Sequence, residues 1–251
     1  MNIGIDLGGS HIAVGLVNNT GNILDKIEKN WTAYDRKDIK NAIKNAIINL
    51  SNEILKNNNY KFSDIEKIGI GSPGTIMQGK ICNATNLGID IFDIKKELEE
   101  EIGVIVSVRN DAKCAAICEK KFGNIKNYSD AVFLVLGTGL GGAVFLNNKL
   151  LEPKRYSGFE VGHMTIIENG EQCTCGKKGC FERYASIKSL KIRVAKTLKL
   201  ESLDFSSSVP HPIQDFLLYI SQTCITIREM TGLASDNHEK EDTYHGICYY
   251  R

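Results

Sequence analysis

Residues 158–186, GFEVGHMTIIENGEQCTCGKKGCFERYAS, hold three cysteines, a histidine and two flanking glutamates, Glu160 and Glu182, in one short run. Cys173, Cys175 and Cys180 alternate with Gly176 and Gly179. Glycine lets a backbone fold tightly enough for three thiolates to meet at one point. His163, ten residues before Cys173, supplies a fourth donor. A Cys3His set is a closed tetrahedral arrangement, which suits a structural zinc ion rather than a catalytic ion with an open position. The plain alternative is three small buried thiols that fall close together, yet such thiols have no need of glycine between them. A fixed ion would also hold Glu160, three residues before His163, near Glu182, two after Cys180. Two carboxylates so placed suit a ligand rich in hydroxyl groups.

Upstream, residues 131–151, AVFLVLGTGLGGAVFLNNKLL, read as an apolar strand, a glycine-rich turn, a second apolar strand and an Asn-rich turn. The N-terminus uses the same device: NIGIDLGG and HIAVGLV flank Gly8 and Gly9, and NNTGN leads to a third strand near Ile23. Such turns expose backbone N–H groups in a way that suits a phosphate, and Asp6 could face Mg2+ through water. Many hairpins, however, use glycine only to reverse direction. If both turns serve one nucleotide, Gly8, Gly9 and Ser10 hold its phosphates together with Gly137, Thr138 and Gly139.

Between the two hairpins, Ile39, Ile43, Ala46, Ile47, Leu50 and Ile54 fall at helical spacing and predict an amphipathic helix over 38–55. Residues 67–71 form a short buried strand that Ser72-Pro73-Gly74 ends in a turn, and NATNLG (83–88) is a polar loop. IGVIVSVRNDAKCAA (102–116) is a strand running into a helix, with Asn110 and Asp111 at the junction. Asp111 there is either a helix N-cap or a reactive carboxylate at the carboxyl end of a parallel strand. Cys114 and Cys118, one turn apart, read as core. Beyond Ser186 the pattern predicts helices over about 187–200 and 212–231, joined by SLDFSSSVPHP, and an irregular tail over 235–251.

The chain has 251 residues, 42% hydrophobic and 24% charged, with a formal net charge of +1. That balance points to a globular protein and away from nucleic acid or a membrane surface as partner. MNIGIDLGGS lacks the basic and long apolar segments of a secretory signal, no run reaches membrane-helix length, and the scattered cysteines outside the cluster suit a reducing compartment. The expected location is the cytoplasm.

The run CTCGKKGCFERYAS resembles the zinc signature of the ROK family (repressors, open reading frames and kinases), GFEVGH resembles its preceding sugar-contacting segment, and IDLGGSH resembles the first phosphate segment of the actin-like, hexokinase-like ATPases. The resemblance implies an α/β protein with a two-lobed actin-like (ribonuclease H-like) fold and a zinc-binding loop. The N-terminal lobe would span 1–111 and the C-terminal lobe 112–234. It implies an ATP-dependent kinase of glucose or an N-acetylhexosamine, using Mg2+ and structural Zn2+, in a homodimer. Asp111 is then the catalytic base, Asn110 orients the sugar, and Asn86, Glu160, His163 and Glu182 touch its hydroxyls. His163, Cys173, Cys175 and Cys180 hold zinc. Ser10 and His11 stand where the family more often has Thr-Lys, which implies weaker phosphate binding, since histidine is shorter than lysine and usually neutral. Met1 lies directly before the first strand, where the family's repressors carry a DNA-binding segment, so the regulator reading has no such segment to rest on. The resemblance covers Met1 to about Ile227. ROK chains continue through a further strand, a glycine-rich adenosine segment and closing helices, so impaired adenine binding is expected, and a sugar-binding pseudokinase is the alternative.

Overall fold

The computed structural model describes residues 1–137, 139–152 and 160–198. The expected second C-terminal helix, the linker before it and the tail lie outside these residues, as does Thr138. By compactness the chain divides into one unit of Met1–Leu134 with Gly141–Val161 and another of Val135–Leu140 with Gly162–Arg251. This division does not fall at Asp111, where the sequence suggested a lobe boundary: the helix that starts there stays with the first unit.

In the first unit, β1 (Asn2–Leu7), β2 (His11–Val17) and β3 (Ile23–Asn30) form an antiparallel meander. Helix α1 (Ile39–Asn57) comes next and turns Ile43, Ile47 and Ile54 fully inward. Asp38 caps it by accepting from the Asn41 N–H at 3.4 Å. Leu50, expected on the buried stripe, is only half-buried. Strand β4 (Lys67–Ser72) then adds parallel to β1, pairing Ile3 with Ile68 and Ile5 with Ile70. Each fully buried isoleucine contributes about 1.5–3 kcal/mol by leaving water, so this seam fixes the sheet's register.

Sequence reasoning missed a second sheet between β4 and the next helix. Thr75–Met77 (β5), Lys80–Ala84 (β6) and Ile89–Phe92 (β7) make a small antiparallel sheet, where the sequence reading marked only a turn at 72–74 and a polar loop at 83–88. Asn86 sits on the short 3-10 turn between β6 and β7. Helix α2 (Ile94–Ile102), capped by Asp93 and ended by the left-handed Gly103 (φ 74°), leads to β8 (Ile105–Asn110). The main sheet thereby reaches five strands in the order β3-β2-β1-β4-β8, and α3 (Asp111–Phe122) leaves its carboxyl end.

The second hairpin forms as read: β9 (Ala131–Leu136), β10 (Leu140–Leu146) and β11 (Lys149–Leu150) lie side by side. Asn147 and Asn148, both at positive φ (50° and 62°), close its far turn, the conformation a two-residue hairpin requires. In the second unit, α4 (Glu182–Ala185) and α5 (Ile187–Leu198) come after the cysteine loop.

Candidate functional site

In the first glycine turn the Gly8 N–H donates to the His11 carbonyl at 2.9 Å, which closes a tight reversal on Gly9 and Ser10. A Cβ on Gly8 would lie 3.2 Å from the His11 ring, and one on Gly9 3.2 Å from the Cβ of Asn86. The turn therefore packs directly against the 3-10 turn that carries Asn86, and two stretches singled out separately in sequence share one locality. His11 Nδ1 is 3.2 Å from Ser10 Oγ.

At the end of β8 the capping question resolves in favour of Asn110. Its side chain accepts from the Lys113 N–H at 3.4 Å and donates to the Gly74 carbonyl at 3.3 Å. Asp111 is the first residue of the helix proper and accepts from the Ala112 N–H at 2.8 Å. Solvent reaches Asp111, yet protein crowds its carboxyl group. Burial, the largest cause, raises its pKa above the usual carboxylate value; the Ala112 N–H opposes this, and the negative charge of Asp6 adds to it. A raised carboxylate at the carboxyl end of a strand suits a group that takes up a proton. Of the two helical cysteines read as core, Cys114 is half-buried, with its thiol pushed up to about 11 mainly by burial, while Cys118 is exposed. Glu160 is exposed and belongs to this first unit.

The second unit gathers the cysteine loop. The donor atoms of His163, Cys173, Cys175 and Cys180 all lie within 4.8 Å of one another. Cys175 Sγ is 3.6 Å from Cys180 Sγ, and Cys173 Sγ is 3.6 Å from His163 Nδ1. Thiolates around a tetrahedral zinc with bonds of about 2.3 Å stand about 3.8 Å apart, and these two pairs come close to that spacing, so the four residues are of the type and proximity that could hold such an ion. Gly176 and Gly179 take positive φ (90° and 73°), and a Cβ on Gly179 would run into the Ile167 carbonyl. Burial pushes the Cys180 thiol up to about 12 and, more than any other cause, also raises Cys173. Buried thiols held this close and protonated gain little, and a cation that deprotonates them removes that cost.

Glu182 opens α4 beside this cluster. Its Oε1 is 3.2 Å from Cys173 Sγ and 3.7 Å from His163 Nδ1. A Cβ on Gly139 would lie 2.8 Å from its Oε2. One carboxylate thus touches both the cysteine cluster and the second glycine turn, a link that sequence spacing did not reveal. That turn closes through the Gly137 N–H donating to the Gly139 carbonyl at 3.0 Å, and the Gly137 carbonyl accepts from the Ile187 N–H at 3.0 Å.

Fold and site define a mixed α/β protein with a glycine-turn meander, an Asn–Asp pair at a strand end and a four-donor cysteine loop. The model of the ROK family matches residues 2–235, and the chain belongs to that family. It is 34% identical over 200 residues to a glucokinase of Streptomyces coelicolor, covering 78% of this chain and 59% of that protein. It is 41% identical over 126 residues to the xylose repressor of Bacillus subtilis, covering 49% of this chain and 32% of the repressor. A ROK glucokinase of Streptomyces griseus, solved with glucose and AMPPNP, superposes with a TM-score of 0.64 at 32% identity, covering 79% of this chain and 62% of that one. The chain therefore spans about three-fifths of the length of these glucokinases. No helix among the described residues is long and apolar enough to cross a membrane.

Proposed function

We propose that the protein is an ATP-dependent sugar kinase of ROK type, acting on a hexose such as glucose or an N-acetylhexosamine. The observation that carries this reading is Asp111: Asn110 caps α3, so the neighbouring carboxylate is left for chemistry, with a pKa raised by burial. On this reading the fold is the two-lobed actin-like, hexokinase-like arrangement. The glucokinases among its relatives support it.

In this mechanism Asp111 accepts the proton of the sugar hydroxyl whose oxygen bonds to the γ-phosphorus of ATP, while the bond to the ADP oxygen breaks. Asn110 and Asn86 orient the sugar, and Glu160, His163 and Glu182 hold its other hydroxyls. The residues assigned to the phosphates are Gly8, Gly9, Ser10 and His11 together with Gly137, Thr138 and Gly139, chiefly through backbone N–H groups. Mg2+, with Asp6 near its water shell, would neutralise phosphate charge. His163, Cys173, Cys175 and Cys180 would hold a structural Zn2+, which props the loop that carries Glu182 and supplies no chemistry to the sugar. A cytoplasmic homodimer fits this role.

A coupled assay with Mg-ATP and a panel of hexoses tests the proposal. Phosphate transfer to at least one hexose is expected; its absence from every member of the panel, with the fold intact, rejects turnover. The identity to a xylose repressor favours a second reading, a sugar-binding pseudokinase or sugar-sensing regulator. For that reading the sign would be sugar-induced thermal stabilisation without transfer.

A further inference from the structure

The segment after β3 grips the first glycine turn by all three of its carbonyls. Trp31 Nε1 donates to the Gly8 carbonyl at 3.0 Å, and the Trp31 backbone N–H donates to the Ser10 carbonyl at 2.9 Å. Arg36 Nη2 donates to the Gly9 carbonyl at 2.7 Å. Among the described residues, the N–H groups of Gly9 and Ser10 meet no protein acceptor. Each peptide of the turn is thus fixed with its oxygen toward Trp31 or Arg36, so its N–H cannot swing inward. A glycine turn free of such ties can flip its peptides, because glycine accepts both signs of φ.

The gripping segment is itself fastened. Asp35 Oδ2 accepts from the N–H and hydroxyl of Thr32 at 2.9 and 2.8 Å, while Lys29 of β3 reaches Asp35 Oδ1 at 2.9 Å. The Lys29 ammonium also lies 5.7 Å from the centre of the Trp31 ring, which is buried against the core. This is more fastening than a connection between a strand and a helix needs.

We propose that Trp31 and Arg36 are positioning residues for phosphate binding: they hold the Gly8–Ser10 carbonyls back so that the Gly9 and Ser10 N–H groups stay aimed at an anion. The inference rests on the reading of this turn as a phosphate site. Fixing N–H donors before the ligand arrives lowers the ordering cost of binding, so loss of either grip weakens the nucleotide and leaves the sugar alone.

The test is calorimetric titration of the full chain with Mg-ATP and, separately, with glucose. It uses wild type, Trp31→Phe, Arg36→Met and the conservative Arg36→Lys. Trp31→Phe keeps an aromatic ring and the backbone bond to Ser10, and Arg36 is exposed, so each variant should fold; melting temperatures check this. The expected result is a 3- to 10-fold, order-of-magnitude loss of Mg-ATP affinity in Trp31→Phe and Arg36→Met, about the worth of one hydrogen bond. Arg36→Lys should recover part of it, and glucose affinity should stay unchanged. Trp31 is the only tryptophan in the chain, so its emission in wild type should also shift as Mg-ATP binds. Wild-type affinity in both variants overturns the inference while the phosphate reading stands. Parallel losses for sugar and nucleotide overturn it too, since they mark a general structural role. Absence of Mg-ATP binding in wild type removes both.

Discussion

The first glycine turn and the cysteine loop face the same demand, a backbone that does not move beside a ligand, and they meet it by different means. The turn is flanked by Leu7 and Ile12, both fully buried, and its carbonyls are tied down by protein donors. The loop has little core of its own: Met164, Ile166 and Ile167 are exposed, and its inward groups are chiefly Cys173 and Cys180. Where apolar burial is plentiful the fold fixes the geometry unaided. Where it is scarce, four donors converge, and on the proposed reading they leave the fixing to an ion. The consequence is that the two regions should fail under different insults.

The largest expected effect is removal of that ion. A strong chelator, or Cys180→Ser, should open the loop between His163 and Glu182, with a loss of order 10 kcal/mol in local stability by analogy with small zinc domains. The meander should survive. Metal analysis should find about one zinc per chain, and hydrogen exchange should show protection lost after Met164 and kept in β1 and β2. Equal loss of protection in both regions would break the comparison.

Next in size is Asp111→Asn. With Asn110 capping the helix, the substitution should leave the fold unharmed and even relieve the repulsion from Asp6. Turnover should fall by about 100- to 10,000-fold, the range of a lost general base. The pH profile gives an independent check. A carboxyl group must be ionised to act as base, and its pKa lies above the ordinary value, so kcat/KM should rise with pH through a midpoint displaced upward from that of a free aspartate. A midpoint at or below the free value would refute the role of burial. Asn110→Ala, unlike Asp111→Asn, should also cost about 1 kcal/mol of stability through the lost cap, besides weakening the binding of the sugar that Asn110 orients. The two neighbours are separable because the core, not the site, holds their backbone.

Much of this was legible in the sequence because its signals are local. The glycine turns, the 3.6-residue period of α1 and the strand that runs into α3 each depend on residues close together in the chain. The cysteine spacing likewise announced its own convergence. The small sheet of Thr75–Phe92 was not legible, since its strands are short and expose Met77 and Ile91, so no clean alternation survives. Nor was the grip of Trp31 and Arg36 on Gly8 and Gly9, or the contact of Glu182 with Gly139. Each joins residues more than twenty positions apart, and nothing in either partner's immediate neighbours marks it. That Asn110 rather than Asp111 caps α3 was not legible for another reason: both side chains cap well, and a single residue of register decides.

The smallest effect is an acid titration that separates the two regions. Little of the Asp35 side chain is open, at 12% of its surface, but it lies at the protein's edge, so hydrogen bonds rather than burial set its pKa. The Thr32 backbone N–H first, then Lys29 and the Thr32 hydroxyl, hold it down at about 2. A free aspartate has a pKa near 3.9, so the folded value is depressed. Its contribution to stability is therefore complete above about pH 4 and disappears as pH falls toward about 2. Wild type and Asp35→Asn should differ slightly in Tm at neutral pH and converge at the acid end of that window. The cysteine loop should give way earlier in the same descent, because protons compete with the metal for its imidazole and thiolates. If the loop and the Thr32–Asp35 fastening were lost together, or if the Asp35→Asn difference did not change with pH, the distinction between a turn held by its core and a loop held by its ion would not survive.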